Sequence, residues 1–182
     1  MALTLIKEDG TGKADANSYA TAADGDAYHE GHLYASAWTD ATSGKQEAAL
    51  VMATRLIDAY FQFGGRKASA VQALQWPRVG CVDRDAGAAG RVLGGRLDCF
   101  SSDAVPAVVV AATCELAREL IAADRTANPL GEGLRSNRLG DSTVVFDKRD
   151  RPPVISHVAQ ALLGKVGTYL KSGSGAVSLT RV

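Results

Sequence analysis

Apolar positions recur at three- and four-residue steps along much of this chain, and that spacing predicts helices. The clearest stretch begins at Ser43, where Ser43 and Gln46 form a Ser-x-x-Gln capping pattern. Leu50, Ala53, Ile57, Tyr60 and Phe61 then line one face, and Gly64-Gly65 supplies a stop. A shorter helix is expected from Thr21 to about Glu30, with Asp24 as the capping partner of Thr21. Gly25 inside it costs roughly 1 kcal/mol against Ala, which close packing at that position would explain. Residues 69–75 read as a short helix halted by Trp76-Pro77, because the residue before proline is pushed out of the helical region. The longest helix is capped by Ser102 or Asp103, carries Pro106 in its first turn and ends near Arg125. Its stripe is Val105, Val109, Ala112, Leu116 and Leu120. Pro152-Pro153 opens a last helix to about Val166, with Val154, Val158, Ala161 and Leu162 inward.

Between these elements the pattern breaks. Residues 1–17 read as an N-terminal arm in which Leu3 and Leu5 alternate with polar residues like a short strand. Residues 80–104 and 128–150 are long, Gly-rich loops, and loops of that length are functional or mobile. Ser142 to Phe146 is β-like, and residues 147–150 look like a turn. Residues 171–182 form a flexible tail, Gly/Ser-rich at first, whose last part alternates like a strand from Ala176 to Val182. The expected architecture is mainly α: a small bundle of four to five helices over residues 1–170, with long loops, one short β element and an extended tail.

Composition agrees. Alanine is the commonest residue, with 31 copies, and it favours helix because ordering it costs no side-chain entropy. The formal net charge is zero, which argues against holding nucleic acid mainly by phosphate neutralisation. No apolar run approaches the length needed to span a bilayer, and the first ten residues turn acidic too soon for a signal peptide. Cys81, Cys99 and Cys114 are odd in number and widely spaced, so they read as small buried hydrophobes in a reducing compartment rather than a disulfide framework.

Little in the chain suggests chemistry. His29 and His32 are three residues apart, not four as in His-Glu-x-x-His. Asp26 could join them, but no further His or Cys completes a zinc site. Gly10-Thr11-Gly12-Lys13 resembles a phosphate loop, yet Lys7 and Ala14 stand where that motif needs Gly and Ser or Thr. There is no Gly-x-Ser-x-Gly elbow, and His157 stands alone in a late helix. An enzyme is not expected, nor any cofactor or metal; a small regulatory enzyme using His29 or His32 is the remotest of three readings. Trp76-Pro77-Arg78 is the one conspicuous motif. A tryptophan beside an arginine could stack a base and contact a phosphate. With no basic stripe around it, core packing or a protein contact is the better reading.

An ordered set of short blocks carries a resemblance. Asp9-Gly10-Thr11-Gly12, Ala16-Asn17-Ser18-Tyr19 and Ala27-Tyr28 come first. Lys45-Gln46-Glu47-Ala48-Ala49-Leu50, Ala53-Thr54-Arg55-Leu56-Ile57-Asp58 and Gln72-Ala73-Leu74-Gln75-Trp76-Pro77-Arg78 follow. Val105-Pro106 and Glu115-Leu116-Ala117 complete it. The set resembles small tailed-phage proteins labelled DnaT-like single-stranded-DNA-binding proteins, and is also similar to the head–tail adaptor (connector, head-completion) proteins of phage necks. The match is good over residues 8–125 and loose elsewhere.

The adaptor resemblance implies a helical bundle without catalytic residues that forms a homo-oligomeric ring, dodecameric in such adaptors, beneath the portal protein. It implies a tail or stopper protein as the distal partner. Double-stranded DNA would pass through the channel without specific binding. Ala176, Val177, Ser178, Leu179, Thr180, Arg181 and Val182 would then be the portal-docking segment, able to add a strand to an exposed sheet edge. The DnaT-like label implies the alternative, a single-stranded-DNA-binding replication accessory. The alternative draws on Trp76 and Arg78 as a base-stacking pair; the packing reading instead expects the Trp76 ring to be buried, so that Trp76→Ala costs about 3 kcal/mol or more in a urea unfolding experiment. A near-zero change would place the ring at an interface instead.

Overall fold

A computed structural model describes residues 3–83, 85–86, 98–127, 136–139, 142–145 and 152–170. It is mostly helical, with five packed helices: α1 (Ala22–His29), α2 (Ser36–Thr39), α3 (Ser43–Tyr60), α4 (Ala107–Ala122) and α5 (His157–Leu163). Six short strands complete it as three antiparallel pairs. β1 (Phe61–Phe63) pairs with β6 (Gly167–Tyr169), β2 (Arg66–Lys67) with β3 (Arg78–Val79), and β4 (Ser136–Leu139) with β5 (Ser142–Val145).

α4 is the centre. It packs on α1, α2, α3 and α5, and every residue from Ala112 to Ala117 is buried. The expected stripe is present, but burial goes round the whole helix there, as for a helix with neighbours on all sides. Small side chains at Ala112, Thr113, Cys114 and Ala117 make this possible. Thr113 donates its hydroxyl proton to the Val109 carbonyl at 2.8 Å, so its polarity is spent inside the helix. Leu50, Ala53 and Ile57 of α3 are fully buried in the same core, with Trp38 of α2 and Trp76.

α1 starts as its sequence dictates. The Thr21 side chain accepts from the Asp24 backbone N–H, and the Asp24 carboxylate accepts from the Thr21 N–H at 2.7 Å, completing a capping box. Gly25 is buried because a Cβ there would lie 2.2 Å from Cζ2 of Trp38. The Trp38 indole N–H reaches back to donate to Asp26 at 2.8 Å. One glycine and one carboxylate on α1 thus seat the whole of α2, which the sequence pattern did not reveal.

Several expectations are corrected. Ser43 lies inside α3 with Thr42 as N-cap, and Gln46 donates to the Trp38 carbonyl at 3.0 Å rather than closing a capping box. α3 ends at Tyr60, before the two glycines, because Phe61-Gln62-Phe63 pairs as a strand. Residues 69–75 form no helix; the Gln72 side chain ties their turns, accepting from Ser69 N–H and donating to the Leu74 and Pro77 carbonyls. Pro106 is the N-cap of α4, and neither Ser102 nor Asp103 caps it. α4 ends at Ala122, not near Arg125. α5 begins only at His157, capped by Ser156. Ala159 and Leu163 are its buried positions, with Ile155 buried just ahead of it; Leu162 packs partly against the core as expected, while Val158 and Ala161 are exposed. Cys99 is exposed, unlike Cys81 and Cys114.

The N-terminal arm is not a strand. It folds back so that Asn17 N–H donates to Ile6 O at 2.9 Å and Glu8 N–H donates to Ser18 O at 2.9 Å. Residues 80–104 close at their base, where Val82 bridges Cys99 and Asp83 N–H donates to Asp98 O at 2.8 Å. The β-like segment at Ser142 is β5, and its partner β4 falls where the sequence predicts a loop. The expected turn at residues 147–150 and the tail at residues 171–182 lie outside the described residues.

Two predictions follow from this packing. In an open helix Gly25→Ala would stabilise by up to about 1 kcal/mol; against Trp38 it should instead cost about 2 kcal/mol or more in chemical denaturation. The second concerns Asp58 on α3. Its carboxyl accepts hydrogen bonds from the Tyr19 hydroxyl at 2.5 Å and the Gln75 N–H at 3.0 Å. Burial nevertheless pushes its pKa up to about 6, against these hydrogen bonds and the nearby Lys67 and Arg78 charges. The folded state thus holds a proton that the unfolded chain, titrating near 3.9, releases. That contribution to stability is complete below about pH 4 and lost as pH rises through about 6. The half-buried site should make the stability difference between wild type and Asp58→Asn fall by on the order of 2 kcal/mol from pH 4 to pH 7.

Candidate functional site

Trp76 and Arg78, the motif that stood out in the sequence, are brought together by the fold but sealed. Trp76 is fully buried, with Phe63 and Phe100 edge-on to it at ring-centroid distances of 5.7 and 6.2 Å. Its backbone N–H donates to the Tyr19 hydroxyl at 3.2 Å, and the peptide bond to Pro77 is cis. Arg78 is 8% exposed. Its guanidinium donates to the carbonyls of Gly64 at 2.6 Å, Gly65 at 2.8 Å and Gln75 at 3.1 Å, and to the Gln75 side chain. The arginine therefore ties β1, the following turn and β3 together. Neither residue is open to a base or a phosphate.

The loop that resembled a phosphate cradle already holds an anion of its own. Glu8 is fully buried, and its carboxylate accepts from the N–H groups of Gly10 and Gly12 at 2.9 Å each and of Lys13 at 2.8 Å. Converging backbone N–H groups favour an anion. Gly10 has φ of +103°, and a Cβ there would strike the Asp103 carbonyl, so the tight turn needs glycine. Above it, Lys13 beside exposed Asp9 holds that carboxyl well below its ordinary range.

The two histidines differ in burial and in partners. His29 is buried, bonds the Cys114 carbonyl through Nε2 at 3.2 Å and has its pKa lowered by burial. His32 lies nearer the surface, with Nε2 3.7 Å from Glu115. Buried Glu115 is engaged by Arg118 at 2.5 Å, and Asp26 is engaged by Trp38. Among the described residues no group of three or more His, Cys, Asp or Glu is placed to hold a metal ion. Burial pushes the Cys114 thiol up to about 12, which leaves it protonated and without nucleophilic character. His157 is exposed at the first turn of α5.

The surface offers a pocket of about 370 Å³ beside β1 and β6, with Gln62, Gly65, Lys165 and Thr168 on its wall, and it also exposes large apolar side chains. Leu33 and Tyr34, in the link between α1 and α2, are 91% and 76% exposed. Arg118 of α4 donates to the Tyr34 carbonyl at 3.5 Å, which anchors the link beneath them. The sequence reading passed over this pair. The available signal was two large apolar residues just past the Gly31 stop, outside any helical stripe. A second pocket of about 370 Å³ opens between α1 and α4, where Tyr28, Val110, Ala111 and Cys114 line it together with Lys7 and Asp24. The expected portal-docking segment from Ala176 to Val182 lies outside the described residues.

Among the described residues no helix is long and apolar enough to cross a membrane. No curated protein and no solved structure matches the chain. A family model described as "Putative DnaT-like ssDNA binding protein" matches residues 3–182. That description names binding and no reaction. With the match running over nearly the whole length, the chain belongs to this DnaT-like family.

Proposed function

We propose that the protein is a non-catalytic assembly component of a tailed-phage neck. It would act as a head–tail adaptor whose copies form a ring, dodecameric as in the adaptors it resembles, below the portal. The ring extends the DNA channel and joins capsid to tail or stopper protein. The observation that carries this reading is the contrast between a sealed Trp76–Arg78 pair and an open apolar pair at Leu33–Tyr34. Groups suited to nucleic acid are spent on the fold, while groups suited to protein contact are left outside. The described residues carry 11 basic against 16 acidic side chains. A mildly acidic body repels phosphate, which suits a conduit through which DNA slides.

A second reading, single-stranded-DNA binding in replication, is favoured by the family description and by one feature of the sequence. The segments outside the described residues carry nine of the 20 basic side chains but only four of the 20 acidic ones. If such binding occurs, it runs through those segments and not through Trp76.

Quantitative mass spectrometry of purified particles separates the two. The adaptor reading predicts about one copy per portal subunit, and no salt-dependent binding of the purified protein to oligonucleotides. Absence from particles, with oligonucleotide affinity that falls steeply as salt rises, would overturn it in favour of the second.

A further inference from the structure

The link that presents Leu33 and Tyr34 runs from the end of α1 to the start of α2, and its middle is lightly held. His32 N–H donates to the His29 carbonyl at 3.0 Å before it, and Trp38 N–H donates to the Ala35 carbonyl at 2.8 Å after it. Between those two bonds, the hydrogen bonds among the described residues fall on Tyr34. Its backbone N–H donates to Nδ1 of His32 at 3.1 Å, and its carbonyl accepts from Arg118 at 3.5 Å. Arg118 is also the partner of Glu115 Oε1. The other carboxylate oxygen, Oε2, is buried without a hydrogen bond and lies 3.7 Å from Nε2 of His32. One imidazole thus stands between a backbone N–H that it holds and a buried anion that it does not reach, since that gap is too long for a hydrogen bond.

The bond from Tyr34 fixes the ring's tautomer. An acceptor at Nδ1 places the proton of the neutral ring on Nε2, the nitrogen that faces Glu115. A second proton goes to Nδ1 and takes away the lone pair that holds Tyr34. The same proton gives the ring a positive charge beside the unpartnered Oε2. Both consequences drive the ring one way, off Tyr34 and onto Glu115. The His32 side chain is 27% exposed, so solvent protons reach it, whereas that of Glu115 is 3% exposed. From α4, Arg118 opposes a charged ring, but its guanidinium is already engaged with Oε1. From α1, Tyr28 has its hydroxyl pKa raised by burial and by the Glu115 charge, so it stays neutral. His29, its ring centroid 5.8 Å from that of His32, has its pKa lowered by burial and charges below the ordinary histidine range. Glu30 at the end of α1 is exposed to solvent.

We infer that His32 is a proton-operated latch on the Leu33–Tyr34 link: the neutral ring pins Tyr34, and the charged ring pairs with Glu115 and releases it. Pinned, the two exposed side chains are presented on a fixed backbone, which lowers the ordering cost of a contact; released, they carry that cost again. The consequence for assembly rests on the reading of this pair as a contact surface, while the latch itself belongs to the isolated chain.

The test titrates the nitrogen-15-labelled full chain from pH 8 to pH 5, the range in which histidines change charge, and follows it by NMR. The Tyr34 amide and the His32 ring are expected to shift together with one midpoint. His32→Asn is the control, because asparagine Oδ1 offers the Tyr34 N–H an acceptor that does not titrate; there the amide should hold its position. Chymotrypsin cleavage at Leu33 and Tyr34 gives a second readout. The ratio of wild-type to His32→Asn cleavage should rise about fivefold from pH 8 to pH 5, what one net hydrogen bond is worth. That ratio cancels the protease's own pH dependence, and it cancels Asp58, whose pKa is about 6. Glu115→Gln, where circular dichroism shows it folded, should move the Tyr34 transition to lower pH. A Tyr34 amide that stays still while His32 titrates overturns the latch, and so does one that moves equally in His32→Asn. An unchanged midpoint in folded Glu115→Gln leaves the ring no second position and also overturns it. The two readings fail separately: a still Tyr34 amide leaves the adaptor standing, and absence of the protein from particles leaves the latch standing.

Discussion

Everything in this fold leans on α4 being buried on every side. A helix flanked by α1, α2, α3 and α5 needs a middle without bulk, and Ala112 to Ala117 provides it. The same closeness makes an unpaired polar group there costly, and most find a partner inside the protein, although Glu115 Oε2 and Arg118 Nε make no hydrogen bond. Thr113 turns to its own helix, and Glu115 takes Arg118 one turn on. The second constraint is the Gly25–Trp38 contact. It presses α2 onto α1, and α2 with α1 onto α4, by removing a side chain rather than adding one.

The buried carboxylates follow one logic. Glu8 fills a ring of backbone N–H groups, and Asp58 receives Tyr19 and the Gln75 backbone, fixing the segment that delivers Trp76. Arg78 does the same with carbonyls on the other side of that segment. These charged groups are thus internal fasteners. The polar groups that stay open line a pocket of about 370 Å³ beside β1 and β6, with Gln62, Lys165 and Thr168 on its wall.

The sequence made the helical class and four of the five helices legible, since periodicity and capping residues are local. It showed the Thr21–Asp24 box and anticipated that Gly25 marks a close approach. What it could not show depends on partners distant in the chain. Trp38 needs Gly25 and Asp26 opposite it before α2 makes sense. Phe61 to Phe63 looks helical until β6 pairs with it, about a hundred residues on. α5 was misplaced because Pro152-Pro153 was read as its start, whereas Ser156 is the residue whose side chain caps it. At the candidate site, Trp76 was legible as buried from its type and setting. Its partners were not, and the Leu33–Tyr34 pair lacked any periodic signature.

The central claim is that the chain's conspicuous aromatic motif, Trp76-Pro77-Arg78, is structural, and tryptophan fluorescence tests it most directly. The chain has two tryptophans, Trp38 and Trp76, and both are fully buried. The account predicts blue-shifted emission that saturating single-stranded oligonucleotide neither quenches nor shifts, at low and at moderate salt. Emission that starts red-shifted, or that oligonucleotide quenches in proportion to binding and Trp76→Phe abolishes, would mean the ring meets bases and would contradict it.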